Sequence, residues 1–400
     1  MAKIESKIYE LTCIAPVHIG SGEKLKKYDY ICDNRAGVNK AYFIDHGRLA
    51  KLLAEENLLD EFSFAMMNRK IYDLGYWLRN ERVNPKKIAA LTTHMAEIAM
   101  PPKKGKEKDP LNDLAIQTTL ADGRPYIPGS SIKGAMRTAI IYHLLQQNTR
   151  LKEKYWQLVK NDIKNNYSRK LRFIAADLEN ELLSKLNFAD SRGRRSDNAV
   201  QSVMRGIVVG DAILAGSSET IIIGKTDITT KIGKNGNKEN NLPIARECLP
   251  SRASLRFKIS LDSTITSAIG LGDIATLIKW CHGYNKFSIS LLEKAFGKNY
   301  QAALDEAKVA DLAIGGGTGF LNKTVFYALA PSDTEGRNLL TEFLDSKFTT
   351  FDRRKHKKVP AHNHRIEDTI IAPRTLKLAK TKEEHFLMGI CSLQEVKNAH

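Results

Sequence analysis

A strand-like apolar run extends from Ile4 to Ile14, and Ser254 to Leu261 alternates strictly, with Leu255, Phe257, Ile259 and Leu261 on one side. A period of two marks a strand that buries one face. Tyr28 to Cys32 and Tyr42 to Ile44 flank the turn-prone Asp33 to Gly37, which predicts a hairpin. Asp45 is then placed to cap a helix carrying Leu49, Leu52 and Leu53. The pattern stays helical from about Asn57 to Met100 and stops at Pro101 and Pro102. A second helical region opens at Ser130 or Ser131, either of which can cap it, and sets Ile132, Met136, Ala139, Ile140 and Leu144 at helical spacing. Helices continue to about Leu186, and Ser191 to Asp197 interrupts them. Strand signals return in Ile207 to Val209, Thr220 to Ile223 and Ser254 to Leu261, and Asp273 to Val309 is again helical. Between the strands, the polar, glycine-rich Gly233 to Asn241 predicts a flexible hairpin tip. The order of elements predicts an α+β fold. At 400 residues the chain is long enough for two domains, expected at 1–200 and 201–400.

Charge narrows the class of partner. Lys and Arg number 62 against 45 Asp and Glu, a formal net charge of +17, so the summed field draws in polyanions. No apolar run approaches the roughly 20 residues of a spanning helix, and Met1 to Glu5 lacks the apolar core of a signal peptide. A soluble, cytoplasmic protein with no membrane partner is expected. Cys13, Cys32, Cys248, Cys281 and Cys391 are widely spaced with no Cys-x-x-Cys pair, which argues against a disulfide framework or zinc ribbon.

Three glycine-bearing segments carry the candidate chemistry. Tyr126 to Arg137 places Gly129, Ser130 and Ser131 where an extended segment becomes a helix, and the uncovered N–H groups of such a start favour an anion. Lys133 and Arg137 are four apart and share a face. Pro16 to Glu23 holds His18, Gly20, Ser21 and Gly22 and is trailed by Lys24, Lys26 and Lys27. Gly315 to Lys323 holds Gly316, Gly317, Thr318, Gly319, Phe320 and Lys323 and leads into Val325 to Leu329, an apolar run able to form a helix. Glycine lets backbone N–H groups approach a ligand closely. One such cluster is ordinarily a turn; three in a basic chain predict a shared polyanionic ligand.

In this order the three segments resemble the RAMP superfamily of CRISPR-associated RNA-binding proteins. With Gly206 to Ile213, Ile371 to Lys377 and Met388 to Cys391 added, the pattern is similar to the fifth subunit of the type III-A (Csm) effector. The resemblance implies two ferredoxin-like (RRM-like) domains with helical insertions, although no internal sequence repeat is visible. It also implies a thumb-like hairpin near 226–245. The implied function is non-catalytic: the subunit caps the 3′ end of CRISPR RNA (crRNA) and supports crRNA maturation and antiviral defence. The implied partners are crRNA and a backbone subunit of the complex, with target RNA and host ribonucleases left open. No cofactor and no metal are implied.

The RNA-binding candidates are the residues of the three segments, Arg192, Arg194 and Arg195 in the 191–197 interruption, and Arg353, Arg354, Lys355, Lys357 and Lys358 in the densest basic run. The last set needs only charge to hold phosphate, and its bland alternative is a disordered basic loop. Tyr126, Phe257 and Phe320 could stack on bases or sit in the core. His18 is the alternative catalytic candidate, as a general base for a CRISPR endoribonuclease, metal-independent or metal-dependent, and it could equally pack into the sheet. Gly317 to Thr324 mimics a phosphate-loop spacing, but Asn322 replaces the second required glycine, which argues against an NTPase.

Overall fold

A computed structural model describes residues 4–397 except 34–38, 101–110, 112, 166–170, 189–197, 215, 217–218, 234–235, 362–370, 374 and 382–383. Arg192, Arg194 and Arg195 lie outside the described residues. In chain order, β1 (Ile4–Cys13), β2 (Gly20–Leu25), β3 (Tyr30–Asp33) and β4 (Lys40–Ile44) precede α1 (His46–Glu55). Helices α2 (Leu59–Met67), α3 (Leu74–Asn80) and α4 (Pro85–Ala89) follow, then β5 (Thr92–Ile98), β6 (Leu114–Gln117) and β7 (Tyr126–Ile127). Next come α5 (Gly129–Gln146), α6 (Thr149–Lys164), α7 (Leu171–Leu183) and α8 (Asn198–Gln201). The middle of the chain holds β8 (Ile207–Val209), β9 (Ala212–Leu214), β10 (Thr220–Gly233), β11 (Gly236–Cys248) and β12 (Ser254–Asp262). After α9 (Ser263–Thr266) and the long α10 (Ile274–Lys308) come β13 (Leu312–Ala313), α11 (Phe326–Leu329) and α12 (Asp333–Lys347). The hairpin β14 (Thr349–Asp352) and β15 (Lys357–Pro360) precedes β16 (Thr375–Lys380), β17 (His385–Leu387) and β18 (Ile390–Glu395).

Two large sheets organise the molecule. The first runs β13-β18-β1-β12-β9-β7, with β8 also on β12; the second runs β2-β6-β11-β10-β5-β4-β3, with β16 and β17 added beside β10. β1 lies between β12 and β18, antiparallel to both, so the first sheet joins strands from either side of residue 200. The expected division at that residue therefore does not separate the sheets. Leu255, Phe257, Ile259 and Leu261 of β12 are buried as their alternation predicts, against Ile132, Met136 and Ile140 of α5 and Leu277 and Tyr284 of α10. A second core packs Leu376 and Leu378 of β16 against the later half of α10 and Leu340 of α12. A satellite core holds Leu49, Leu52 and Leu53 of α1 against Leu74 and Leu78 of α3.

Several expectations change. The Asn57 to Met100 region is not helical throughout: β5 closes it, because Thr92 to Ile98 finds ladder partners in β4 and β10. Neither Ser130 nor Ser131 caps α5; Asp211 does so from the strand region opposite, its Oδ1 accepting from the Gly129 N–H at 2.7 Å. The 233–241 stretch does end a hairpin, as expected, but its strands run further than the polar sequence suggested, since β10 and β11 pair from Ile221–Cys248 out to Gly233–Gly236. The basic run that could have been a disordered loop is the β14–β15 hairpin, with Phe351 opposite Lys358 and Asp352 opposite Lys357. Its turn is closed by Asp352, which accepts from the N–H groups of Arg354 and Lys355.

Candidate nucleic-acid interface

The three glycine segments, remote in sequence, are stitched together by main chain. The His18 carbonyl accepts from the Gly316 N–H at 2.7 Å, and the Pro16 carbonyl accepts from Gly389, which also holds the loop through Ile314. Gln117 makes the third link: its Oε1 accepts from the Ile19 N–H and its Nε2 donates to the Tyr126 carbonyl. Gly315 has φ +81° and lies so close that a Cβ would meet the His18 carbonyl oxygen at 2.2 Å, so only glycine fits. Asn322, which breaks the phosphate-loop pattern, is buried and donates to the Thr318 carbonyl, bracing the loop from within. Tyr284 braces its exit by donating to the Leu321 and Thr324 carbonyls.

His18 lies beneath this junction, 5% exposed, with Nδ1 donating to the Glu247 carbonyl at 2.7 Å. Burial pulls its pKa below the ordinary value, and Arg246 adds to that. In this position the His18 carbonyl and Nδ1 tie together the backbone of Gly316 and Glu247. The Glu247 carboxylate is buried too, accepting from Thr220 Oγ1 at 2.6 Å and the Gln117 N–H at 3.0 Å, with His94 Nε2 at 3.3 Å. Burial alone raises its pKa, but these partners together hold it below the usual carboxylate value.

A cluster of cations that sequence reasoning did not assemble converges on the late glycine loop. Arg246 of β11 lies 3.7 Å from where a Cβ on Gly316 would sit, and its Nη1 is buried without a hydrogen-bond partner. Burial lowers its pKa. Lys323 is pulled down by burial and then by Arg246, and Lys225 by burial and then by Lys377. The carboxylate of Asp227 takes Lys377 Nζ at 2.5 Å and Lys225 Nζ at 3.3 Å. Two of the four cations, Lys377 and Lys225, pair with the Asp227 carboxylate, Arg246 feels it at longer range, and Lys323 faces Arg246, so positive charge is in excess in a partly buried setting, which favours an incoming anion. Lys323 and the glycine loop were predicted; Arg246, Lys225 and Lys377 were not. The available signal was period-two placement, because Lys225 and Asp227 alternate on β10 while Lys377 pairs opposite Asp227.

The other candidates are dispersed. Gly20, Ser21, Gly22 and Lys24 belong to β2 at the edge of the second sheet, where the ladder to β6 slips between Gly20 and Lys24. Lys26 pairs with Asp113, whereas Lys27 is half-buried. Arg137 is engaged by Glu179 at 2.9 Å, and Lys133 is partly buried, its pKa lowered by burial and by Arg137. Ser130 is exposed and Ser131 half-buried, near the Gly129–Asp211 contact. Arg353, Arg354, Lys355, Lys357 and Lys358 are all exposed on the hairpin. Among stacking candidates Phe257 is core, 4% exposed, and Tyr126 and Phe320 are half-buried. No described helix is long and apolar enough to cross a membrane.

Comparison with known proteins gives a consistent picture. Residues 10–322 match the RAMP superfamily. The chain is 24% identical over 418 aligned positions to the CRISPR system Cms protein Csm5 of Mycobacterium tuberculosis (strain CDC 1551 / Oshkosh), covering 97% of each sequence. It is 26% identical over 332 positions to the Streptococcus thermophilus protein of the same name, covering 79% of each. A chain in a cryo-EM structure of a Csm–crRNA–target RNA ternary complex of a type III-A CRISPR–Cas system superposes with TM-score 0.63 at 18% identity, covering 98% of this chain and 100% of that one. A crystal structure of T. onnurineus Csm5 gives TM-score 0.50 at 18% identity, over 73% and 82%.

Proposed function

The chain belongs to the RAMP superfamily, and on that footing we propose that it is the crRNA 3′-end subunit of a cytoplasmic type III-A effector. It holds the RNA backbone non-catalytically, docks on the last backbone subunit and supports crRNA maturation. The observation that carries this is the junction of the His18 and Gly315–Gly319 loops beside a cation cluster in which Lys225 and Lys377 share the Asp227 carboxylate and Arg246 and Lys323 have no carboxylate of their own among the described residues. Such a surface holds phosphates without reading bases, which suits a subunit that must accept any spacer sequence. The two large sheets correspond in this proposal to two ferredoxin-like, RRM-like units, and the β10–β11 hairpin to the thumb. A terminal position requires a docking face at one end only, because a contact repeated at both ends propagates a filament. The test is the assembled particle. Intact mass should give one copy of this chain per particle, and particles lacking it should carry wrongly trimmed or poorly protected RNA 3′ ends. Two or more copies in a repeat, or protection confined to the 5′ end, would refute the assignment.

A further inference from the structure

Beside the cation cluster, a cavity of about 410 Å³ opens between the glycine loop, the end of α12 and β16. Its walls are mainly apolar: Leu292, Phe320, Leu344, Leu376, Leu387 and Phe348. Most of these belong to the second core or pack against it. Phe348, where α12 gives way to the basic hairpin, is instead 53% exposed at the cavity. Lys377 lines the same cavity, and its Cγ lies 3.6 Å from where a Cβ on Gly319 would sit. Its ammonium meanwhile joins the cluster through Asp227. The apolar slot and the anion-holding cluster therefore share one side chain. A ligand that fits both joins an apolar group to a nearby anion, and a nucleotide, with its base and phosphate, has that composition.

We propose that this cavity receives one unpaired nucleobase of the bound RNA, with its ring against Phe320 and Phe348 and its phosphate toward Lys377 and Arg246. The proposal rests on the RNA-binding reading above. Stacking of this kind is tolerant of base identity, so it adds affinity and fixes register without selecting a sequence. An apolar anchor from a protein partner would fill the walls but leave the adjoining cations unanswered, so RNA is the occupant favoured by charge.

The test uses the full chain and single-stranded RNA carrying 2-aminopurine at each position in turn. One position should be quenched on binding, and Phe348→Ala should restore its emission while Phe348→Trp keeps it quenched. An abasic substitution at that position should weaken binding by about tenfold, the scale of one lost base–aromatic stack. Uniform emission at every position, together with affinity indifferent to Phe348→Ala but weakened by Arg246→Gln, overturns the base slot and leaves the RNA reading intact. Phe348→Ala that releases a protein subunit from the particle while RNA binding is unchanged assigns the cavity to a protein anchor and also overturns it. Failure of the full chain to bind any RNA refutes both.

Discussion

Arg246→Gln separates an RNA contact from a structural arginine, because the two roles move stability in opposite directions. In the free chain the guanidinium is partly desolvated, has a buried Nη1 without a partner and faces Lys323 and Lys225. Repulsion among partly buried like charges is on the order of 1 kcal/mol after allowance for solvent screening. Removing one charge relieves it and the cost of desolvating the guanidinium, less what is lost in attraction to Asp227 and in packing of the arginine stem. The melting temperature should therefore hold or rise by about 2 °C. RNA affinity moves the other way. Each phosphate contact to a single strand contributes about 0.7 to the slope of log affinity against log salt, which at about 0.1 M salt is about fivefold in affinity. Fluorescence anisotropy with end-labelled RNA at several salt concentrations measures both quantities. Affinity lower by at least about fivefold and a slope shallower by about 0.7 are expected. A lower melting temperature with an unchanged slope would refute the reasoning and make Arg246 part of the scaffold alone.

Three further outcomes follow from the geometry. Asp211→Ala should cost about 1 kcal/mol in denaturant unfolding, as for a lost helix cap, while Ser130→Ala and Ser131→Ala should each cost a few tenths at most; the opposite order would return the cap to serine. His18 has a pKa below its ordinary value, so the unfolded chain takes up its proton first and stability falls as pH drops below about 6.5. His143 and His385 are lowered in the same direction, so thermal melts of His18→Gln against wild type isolate the His18 share, and parallel pH profiles would discount it. Replacing Arg353, Arg354, Lys355, Lys357 and Lys358 together by Ser should leave the melting temperature unchanged, since all are exposed, and lower the salt slope by about 0.7 for each residue that meets phosphate; an unchanged slope would remove the hairpin from the interface.

Much of the site was legible because its chemistry is local. Three glycine-bearing segments in a basic chain pointed to one place, and hydrogen bonds join their backbones, although of their cations only Lys323 reaches the cluster there. The cation cluster was hidden because its members lie singly on β10, β11 and β16, and only pairing register makes them neighbours. β5 was misread for a related reason: Thr92 to Ile98 has no decisive period, and its strand form is conferred by the β4 and β10 ladders. Asp211 as the cap of α5 was equally invisible, because the acceptor lies 82 residues away from the N–H it takes. The β12 core face, by contrast, followed directly from strict alternation.

The central place of β1 also governs the order in which the molecule can be made. Its neighbours are β12 and β18, so one flank waits for residues 254–262 and the other for residues 390–395. The His18–Gly316 and Pro16–Gly389 links wait likewise. As residues leave the ribosome, the earliest strand stays unpaired along one edge until nearly the whole described chain has emerged, a long interval in which exposed strand invites misassociation. A product that stops before β18 therefore keeps that edge of β1 open, however complete the rest of the sheet is.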